Sequence, residues 1–476
     1  MKYSPFPLTV LACAVAAFQT PATFSASSES DENLKPSAEL GHRANQPSEN
    51  PSVSADGRYV AFQSAATNLD PRDENDRLDI FVRDTVAGTT ELISMTPDGA
   101  PGNDYSVHPT ISDDGRYVAF HSQATDLVPD DNNNAIDVFV HDREKSVTAL
   151  ASVSSDGVQG NNISIEPQIS GNGQFVAFVS AANNLISGDA NGNRDIFVRD
   201  LKENSTEAVS KNAEGALGTH KSVKPSISSD GRFVTFESPS ENLVPIDDNK
   251  SNEHEWNYPD IFVHDRKTGK TEIVTLNIEG QPANNMSVNS AISGDGRHVA
   301  FQSRSNDLTK GYPQDNYSEL YTRGRPATRT DIYVHDRKTG KTSLVSAAPG
   351  GEPGDRFSFE PAITGDGKKV IFSSGAQNLM KARTSDVNVF VRNIKERGTD
   401  VASAFEEQKL AGTNCLHAAV SKDGSTVVFQ CNYGRADKFR SDIYVRKLGS
   451  KETQIASVSS GASPTEDYWV TLPGGN

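Results

Sequence analysis

Cysteine occurs three times, tryptophan twice and methionine four times in 476 residues. Three cysteines cannot hold a chain of this length together as a disulfide framework. Basic residues are also short of acidic ones: 46 Lys and Arg against 63 Asp and Glu leave a formal net charge of −17. Nucleic acids and anionic membranes are polyanions, so no nucleic-acid partner is expected of a chain with this balance. Beyond Phe18 there is no apolar run of membrane-spanning length, so no transmembrane helix is expected. Helical periodicity is missing throughout, which leaves strands as the only regular element. Gly-x-Ser-x-Gly, His-Glu-x-x-His and phosphate-loop motifs are absent as well, which removes three familiar catalytic designs.

The apolar run that does exist, Leu8 to Phe18 after Met1-Lys2, has the length of a secretory core and is followed by small residues. Residues 1–25 are therefore expected to be a signal peptide, with Ala22 and Ser25 as cleavage points. A lipid-anchored alternative rests on Val10-Leu11-Ala12-Cys13, where Leu11 fits the anchoring pattern poorly. Residues 26–40, rich in Ser and Glu, read as a flexible leader.

Self-comparison shows what the chain is made of. Seven turns recur: Asp56-Gly57, Asp114-Gly115, Asn172-Gly173, Asp230-Gly231, Asp295-Gly296, Asp366-Gly367 and Asp423-Gly424, spaced by 58, 58, 58, 65, 71 and 57 residues. The text around them barely changes: PSVSADGRYVAFQS, PTISDDGRYVAFHS, PSISSDGRFVTFES. A second motif follows each, as in DIFVRD from Asp79, DVFVHD from Asp137 and DIYVRK from Asp442, and then a short apolar run such as TELIS. Each unit thus offers four β-branched and aromatic segments, A to D, with Gly placed to close a tight A–B hairpin. Four antiparallel strands repeated seven times, with no helix to cover them, bury both sheet faces only by closing into a ring. The expected fold is all-β, a seven-bladed propeller over residues 41–460 with a tail at 461–476.

The pattern Pro-x-hydrophobic-Ser-x-Asp-Gly, followed by an aliphatic strand and an Ile-Tyr/Phe-Val strand, resembles the TolB-type, WD40-like (PD40) propeller repeats over roughly residues 38 to 460. The resemblance implies the fold and a general tendency to bind partners. The TolB propeller has six blades behind a separate domain, whereas this chain has seven units and a short leader, so the role of TolB itself does not carry over.

One pair departs from the repeat together. Eight residues before and after the turn, six units carry Ser, but the seventh carries Cys415 and Cys431. In a hairpin closed by Ser421 and Ser425 these residues are directly opposed, at a separation a disulfide accepts. Export would supply the oxidising compartment. Because every blade comes from one contiguous segment, no exchanged strand locks the ring. The Cys415–Cys431 bridge and the tail around Tyr468-Trp469 are expected to stiffen the blade at that seam.

A meander places loops B–C and D–A on one face, and the length variation lies there. From the loop Leu to the next strand is ten residues in blades one to three, 17 in blade four (Leu243 to Asp260) and 23 in blade five (Leu308 to Asp331). Blade four adds His254, Trp256 and Tyr258; blade five adds Tyr312, Tyr317, Tyr321, Arg323, Arg325 and Arg329. Tyr, Trp and Arg supply rigid contact area and directional hydrogen bonds, so these loops are the expected ligand surface. Packing of the loops on each other over the channel is the equal alternative.

Three further groups bear on chemistry. Asp189, Asn191, Asn193 and Asp195 place oxygens at alternate positions of one loop, echoed by Asp73-x-Asn75 and Asp131-x-Asn133. That pattern suits Ca²⁺, although Asp and Asn also cap turns without metal, and turn chemistry is the stronger reading. His141, His264 and His335 share a strand-C position with Arg83, Arg199, Arg392 and Arg446 and are expected to be solvated. His108 and His417, with Glu360 at the same register, fall near the channel mouth and are the residues to suspect if the protein is an enzyme. The leading expectation is a secreted or periplasmic, non-catalytic monomer that binds a protein or polysaccharide through the B–C/D–A face. A channel-mouth lyase or hydrolase and a Ca²⁺-stabilised adhesion protein are the alternatives.

Overall fold

The computed structural model describes residues 43–246, 258–312, 329–380, 387–403, 414–433, 440–450 and 453–461. The expected signal peptide, leader and final tail lie outside them. Each repeat folds as a four-stranded antiparallel meander, giving seven sheets in a ring, the seven-bladed propeller read from the sequence. In blade one, β1 (Ser48–Val53), β2 (Tyr59–Ser64), β3 (Asp79–Asp84) and β4 (Thr89–Leu92) are strands A to D. Blade seven uses Asn414–Val420, Thr426–Tyr433, Arg440–Lys447 and Thr453–Ile455. Among the described residues no blade borrows a strand from another.

The repeat text has a local cause at every letter. Ser54 Oγ donates to Asp56 (2.7 Å) and accepts from the Tyr59 amide (3.0 Å), which fixes the A–B turn before any packing occurs. Gly57 takes φ 77°, the left-handed conformation that favours glycine. At Gly115 a second demand is added, because a Cβ there would lie 2.1 Å from the ring of Tyr59 in the preceding blade. Arg58 forms a bidentate pair with Asp84, the last letter of DIFVRD, and Arg116, Arg232 and Arg297 do the same with Asp142, Asp265 and Asp336. Inside each blade one ring from strand B stacks on one from strand C, as in Phe62 and Phe81 at 5.9 Å. Apolar clusters then fill the spaces between neighbouring blades; one joins Val60 and Phe62 of blade one to Val428 and Ile443 of blade seven.

The ring closes through the turns. Ala55 N donates to Asp113 O, Asp113 N to Gly171 O, Asn172 N to Ser229 O and Ser229 N to Gly294 O. Asp295 N then donates to Gly365 O, Gly365 N to Lys422 O, and Asp423 N returns to Ala55 O. This hydrogen-bonded hoop passes through all seven A–B turns. It is narrow: a Cβ on Gly365 would lie 2.9 Å from Lys422 O, and one on Gly171 would lie 2.1 Å from Asp113 Oδ2. The end of the ring at the A–B turns is therefore drawn tight by the backbone.

Candidate functional site at the channel mouth and the long-loop face

Strand A of every blade is bulged, with the register slipping between Glu49 and Ser52 in blade one and at the same place in the others. The bulge puts seven non-glycine residues into the left-handed region: Asn50, His108, Glu166, Lys224, Asn289, Glu360 and His417, with φ from 50° to 56°. Such a conformation costs about 1–2 kcal/mol per residue. It turns each amide toward an acceptor on the preceding blade. His108 N donates to Gln63 (2.9 Å), Glu166 N to His121 (3.4 Å), Asn289 N to Glu237 (2.5 Å), Glu360 N to Gln302 (3.4 Å) and Asn50 N to Gln430 (3.4 Å).

In two blades strand B does not supply the acceptor: Val179 has none, and the Ser373 hydroxyl makes no hydrogen bond. In those two the bulge residue is itself glutamate and supplies the oxygen: Lys224 N donates to Glu166 (3.1 Å) and His417 N to Glu360 (3.3 Å). The mixed identity of this ring is thus a compensation between two positions. The sequence carried the signal in the polar residues that interrupt otherwise apolar B strands, a column that sequence reasoning missed.

The ring also concentrates charge. Lys224 Nζ pairs with Glu166 at 2.9 Å, and His417 Nδ1 sits 2.9 Å from Glu360. The His108 and His121 rings stack at 5.1 Å. His121 is buried, and desolvation brings its imidazole down to about 3. Burial pushes Glu237 up to about 7, against the opposing pull of the Asn289 amide and Lys224. Of the three residues singled out from the sequence, His417 and Glu360 are in contact, while His108 stacks on His121.

Contrary to the expectation of solvated side chains, His141 and His264 are buried and His335 is half-buried. His141 and His264 are only 4% and 1% exposed, and each of the three directs Nδ1 at a strand-D threonine, Thr148, Thr271 or Thr342, at 2.9–3.0 Å. Arg83, Arg199 and Arg446 reach the equivalent threonine at 3.1–3.3 Å. The position selects a donor that spans strands C and D under the next loop, which both side chains provide, and desolvation lowers His141 and His264 to about 4.

On the long-loop face, B–C and D–A loops adjoin: Asn75, Asn133 and Asn191 donate to Gly102 O, Gly160 O and Gly218 O at 2.8–3.1 Å. His254, Trp256, Tyr317, Tyr321, Arg323 and Arg325 lie outside the described residues. Tyr258 is half-buried. Tyr312 turns inward, donating its hydroxyl to Asp331 (2.5 Å) beside the Tyr333 ring, and burial raises its phenol. Arg329 pairs with the same carboxylate at 3.2 Å.

In the loop considered for calcium, Asn191 Nδ2 donates to Asp195 (2.8 Å), the Asn193 amide caps Asn191 (2.9 Å), and Ser210 donates to Asp195 (2.7 Å). Asp189 is half-buried, and desolvation raises its carboxyl. Among the described residues no three His, Cys, Asp or Glu side chains gather as a metal cluster. The Cys415–Cys431 disulfide is present in directly paired register, with a Cα separation of 4.1 Å. At the seam, Ala44, Asn45, Gln46 and Pro47 face Arg440, Ser441 and Asp442 across a shallow cleft.

No protein-family model and no curated protein matches the chain. Among solved structures it is similar to the β-propeller domain of the Trilobed protease from Pyrococcus furiosus, with 14% identity over 89% of this chain and 98% of that one and a TM-score of 0.51. Similarity extends to oligogalacturonate lyase from Vibrio parahaemolyticus, at 13% identity over 86% and 90% of the two chains (TM-score 0.48). TolB from Acinetobacter baumannii follows at 13% identity over 87% of each (TM-score 0.39). At such identities the likeness shows the fold alone: this is a β-propeller protein, with TolB among its structural neighbours.

Proposed function

We propose that this is an exported, non-catalytic propeller that binds a protein or polysaccharide through the B–C/D–A loop face. The observation that carries the reading is the inequality of the two faces. The A–B turns are tied into one backbone hoop, whereas the strand ends that flank both long insertions of the sequence lie on the opposite face. The disulfide fits an oxidising compartment, either periplasmic or extracellular.

The test is a loop transplant. Residues 247–257 and 313–328 are shortened to the length of the blade-two loop, and parent and variant are screened against a glycan array and immobilised polygalacturonate. The expected result is a variant that melts cooperatively and loses a ligand the parent retains. Equal retention by both proteins overturns the proposal. A channel-mouth enzyme is the second reading, favoured by the contact of His417 with Glu360, the stacking of His108 on His121 and the protonatable Glu237. It requires product release from polyuronate by the parent and its loss in His108→Ala.

A further inference from the structure

The first carboxylate of strand C is buried in blade after blade. In every blade its inner oxygen accepts from a strand-D hydroxyl, as Asp79 does from Ser94 at 2.6 Å. Its outer oxygen needs a second donor, and blades two, three, five and seven find different ones. In blade two, Gln159 Nε2 bridges Asp131 (2.7 Å) and Asp137 (3.0 Å), and Asn133 adds a bond to Asp137 at 2.7 Å. Blade three uses the Asn191 amide, and blade five the Arg329 guanidinium with the Tyr312 hydroxyl. Blade six replaces the acid by Asn388, and blade seven brings up the Tyr433 hydroxyl.

Blade one has the same two carboxylates and no such donor. Asp73 is 2% exposed and Asp79 fully buried, and Oδ2 of each lacks a hydrogen-bond partner. The register position of Gln159 is held by Pro101, which has neither a polar side chain nor an amide hydrogen. Asn75 donates to Gly102 O at 3.1 Å and lies near Asp79, but does not reach hydrogen-bond geometry with its Oδ2 as Asn133 and Asn191 do with Asp137 and Asp195. Two buried carboxylates side by side, each with an oxygen that no protein donor reaches, repel one another and are costly to leave charged and bare; a proton or a cation relieves them.

We propose that Asp73 and Asp79 bind a divalent cation, Ca²⁺, at the place that the Gln159 amide fills in blade two. The two carboxylates supply the charge, and backbone carbonyls and water complete an oxygen shell of the adaptable kind calcium accepts; Mg²⁺ demands a stricter octahedron. The site is independent of whatever the long-loop face recognises. It also moves the calcium expectation from blade three, where Asn191 already neutralises the geometry, to blade one.

The deciding experiment uses the full chain after exhaustive chelation, in mildly alkaline buffer, with calorimetric titration of CaCl₂ and melting in CaCl₂ against EDTA. The parent is expected to bind one equivalent and to melt a few degrees higher with calcium, since binding to the native state alone stabilises it. Pro101→Gln, which transplants the blade-two donor, is expected to lose the calcium response and to melt in EDTA above the parent in EDTA. Asp79→Asn, the blade-six solution, is expected to lose binding while keeping the fold. Asp189→Asn is expected to respond to calcium as the parent does. Absence of binding by the parent overturns the proposal, as does undiminished binding by Pro101→Gln or Asp79→Asn.

Discussion

At the scale of single residues, most of the chemistry-bearing side chains are occupied by the repeat itself. The left-handed bulge residues look like a catalytic collection because they differ from blade to blade, yet each is matched to the acceptor its neighbour can offer. Glu166 and Glu360 occur where strand B has Val179 and Ser373, and amide-bearing or histidine side chains fill strand B in most of the other blades. Glu237, the strand-B acceptor of the Asn289 amide, is the group whose titration should be visible. Its folded-state pKa is raised from 4.5 to about 7, so the native state holds the proton longer than the unfolded chain. The cost to stability therefore grows as pH rises through this interval and is constant above it. Glu237→Gln keeps an oxygen for the Asn289 amide and removes that cost. Its melting temperature relative to the parent should climb between about pH 5 and pH 8. A flat difference would mean that Glu237 is already ionised at the lower pH, compensated by Lys224.

At the scale of one element, the blade-seven hairpin is the informative case. Five blades join strands A and B by a Ser–Ser hydrogen bond at 2.9–3.0 Å, as between Ser48 and Ser64. Blade seven does so covalently. Cys415→Ser with Cys431→Ser should restore the hydrogen bond of the other blades, so the double variant isolates the cross-link. Closing a loop over a sequence separation of 16 stabilises by roughly 3 kcal/mol. Under oxidising conditions the variant should unfold at lower urea, and an unchanged midpoint would deny the bridge a role at the seam. The pairing was legible because both replacements fall at mirror positions of one hairpin. By contrast, His141, His264 and His335 were misjudged as solvated. A strand-C position that alternates between His and Arg looks like surface, and only the neighbouring loop laid across Thr148, Thr271 and Thr342 buries it.

At the scale of the whole molecule, the ring is shut without exchanging a strand. The join between blades seven and one repeats the ordinary contact between neighbours. Thr90 donates its hydroxyl to Val458 O (2.5 Å) and its amide N–H to the Ser460 hydroxyl oxygen (2.9 Å), as Thr206 does to Val153 O (2.5 Å) and Ser155 (2.9 Å). Arg83 adds a bond to Ser459 O at 3.1 Å, and Arg43 bridges to Val458. Closure is thus one more copy of the contact between neighbouring blades, an apolar cluster edged by these polar bonds and reinforced by the hoop of turns. Removing the chain from Val458 onward should lower the melting temperature markedly more than removing it from residue 462. Equal losses from the two truncations would show that the seam draws its strength elsewhere.

Seven periods of one text, strand alternation and turn chemistry were enough to specify the blades, their number, the hairpin register and the disulfide, because all of these are short-range or follow from repetition. What a side chain faces across a blade boundary is a different matter. The acceptors of the bulge amides, the burial of the strand-C histidines and the donorless acid pair of blade one depend on residues tens to hundreds of positions apart. The curvature of the closed ring brings them together, and no local pattern encodes that distance.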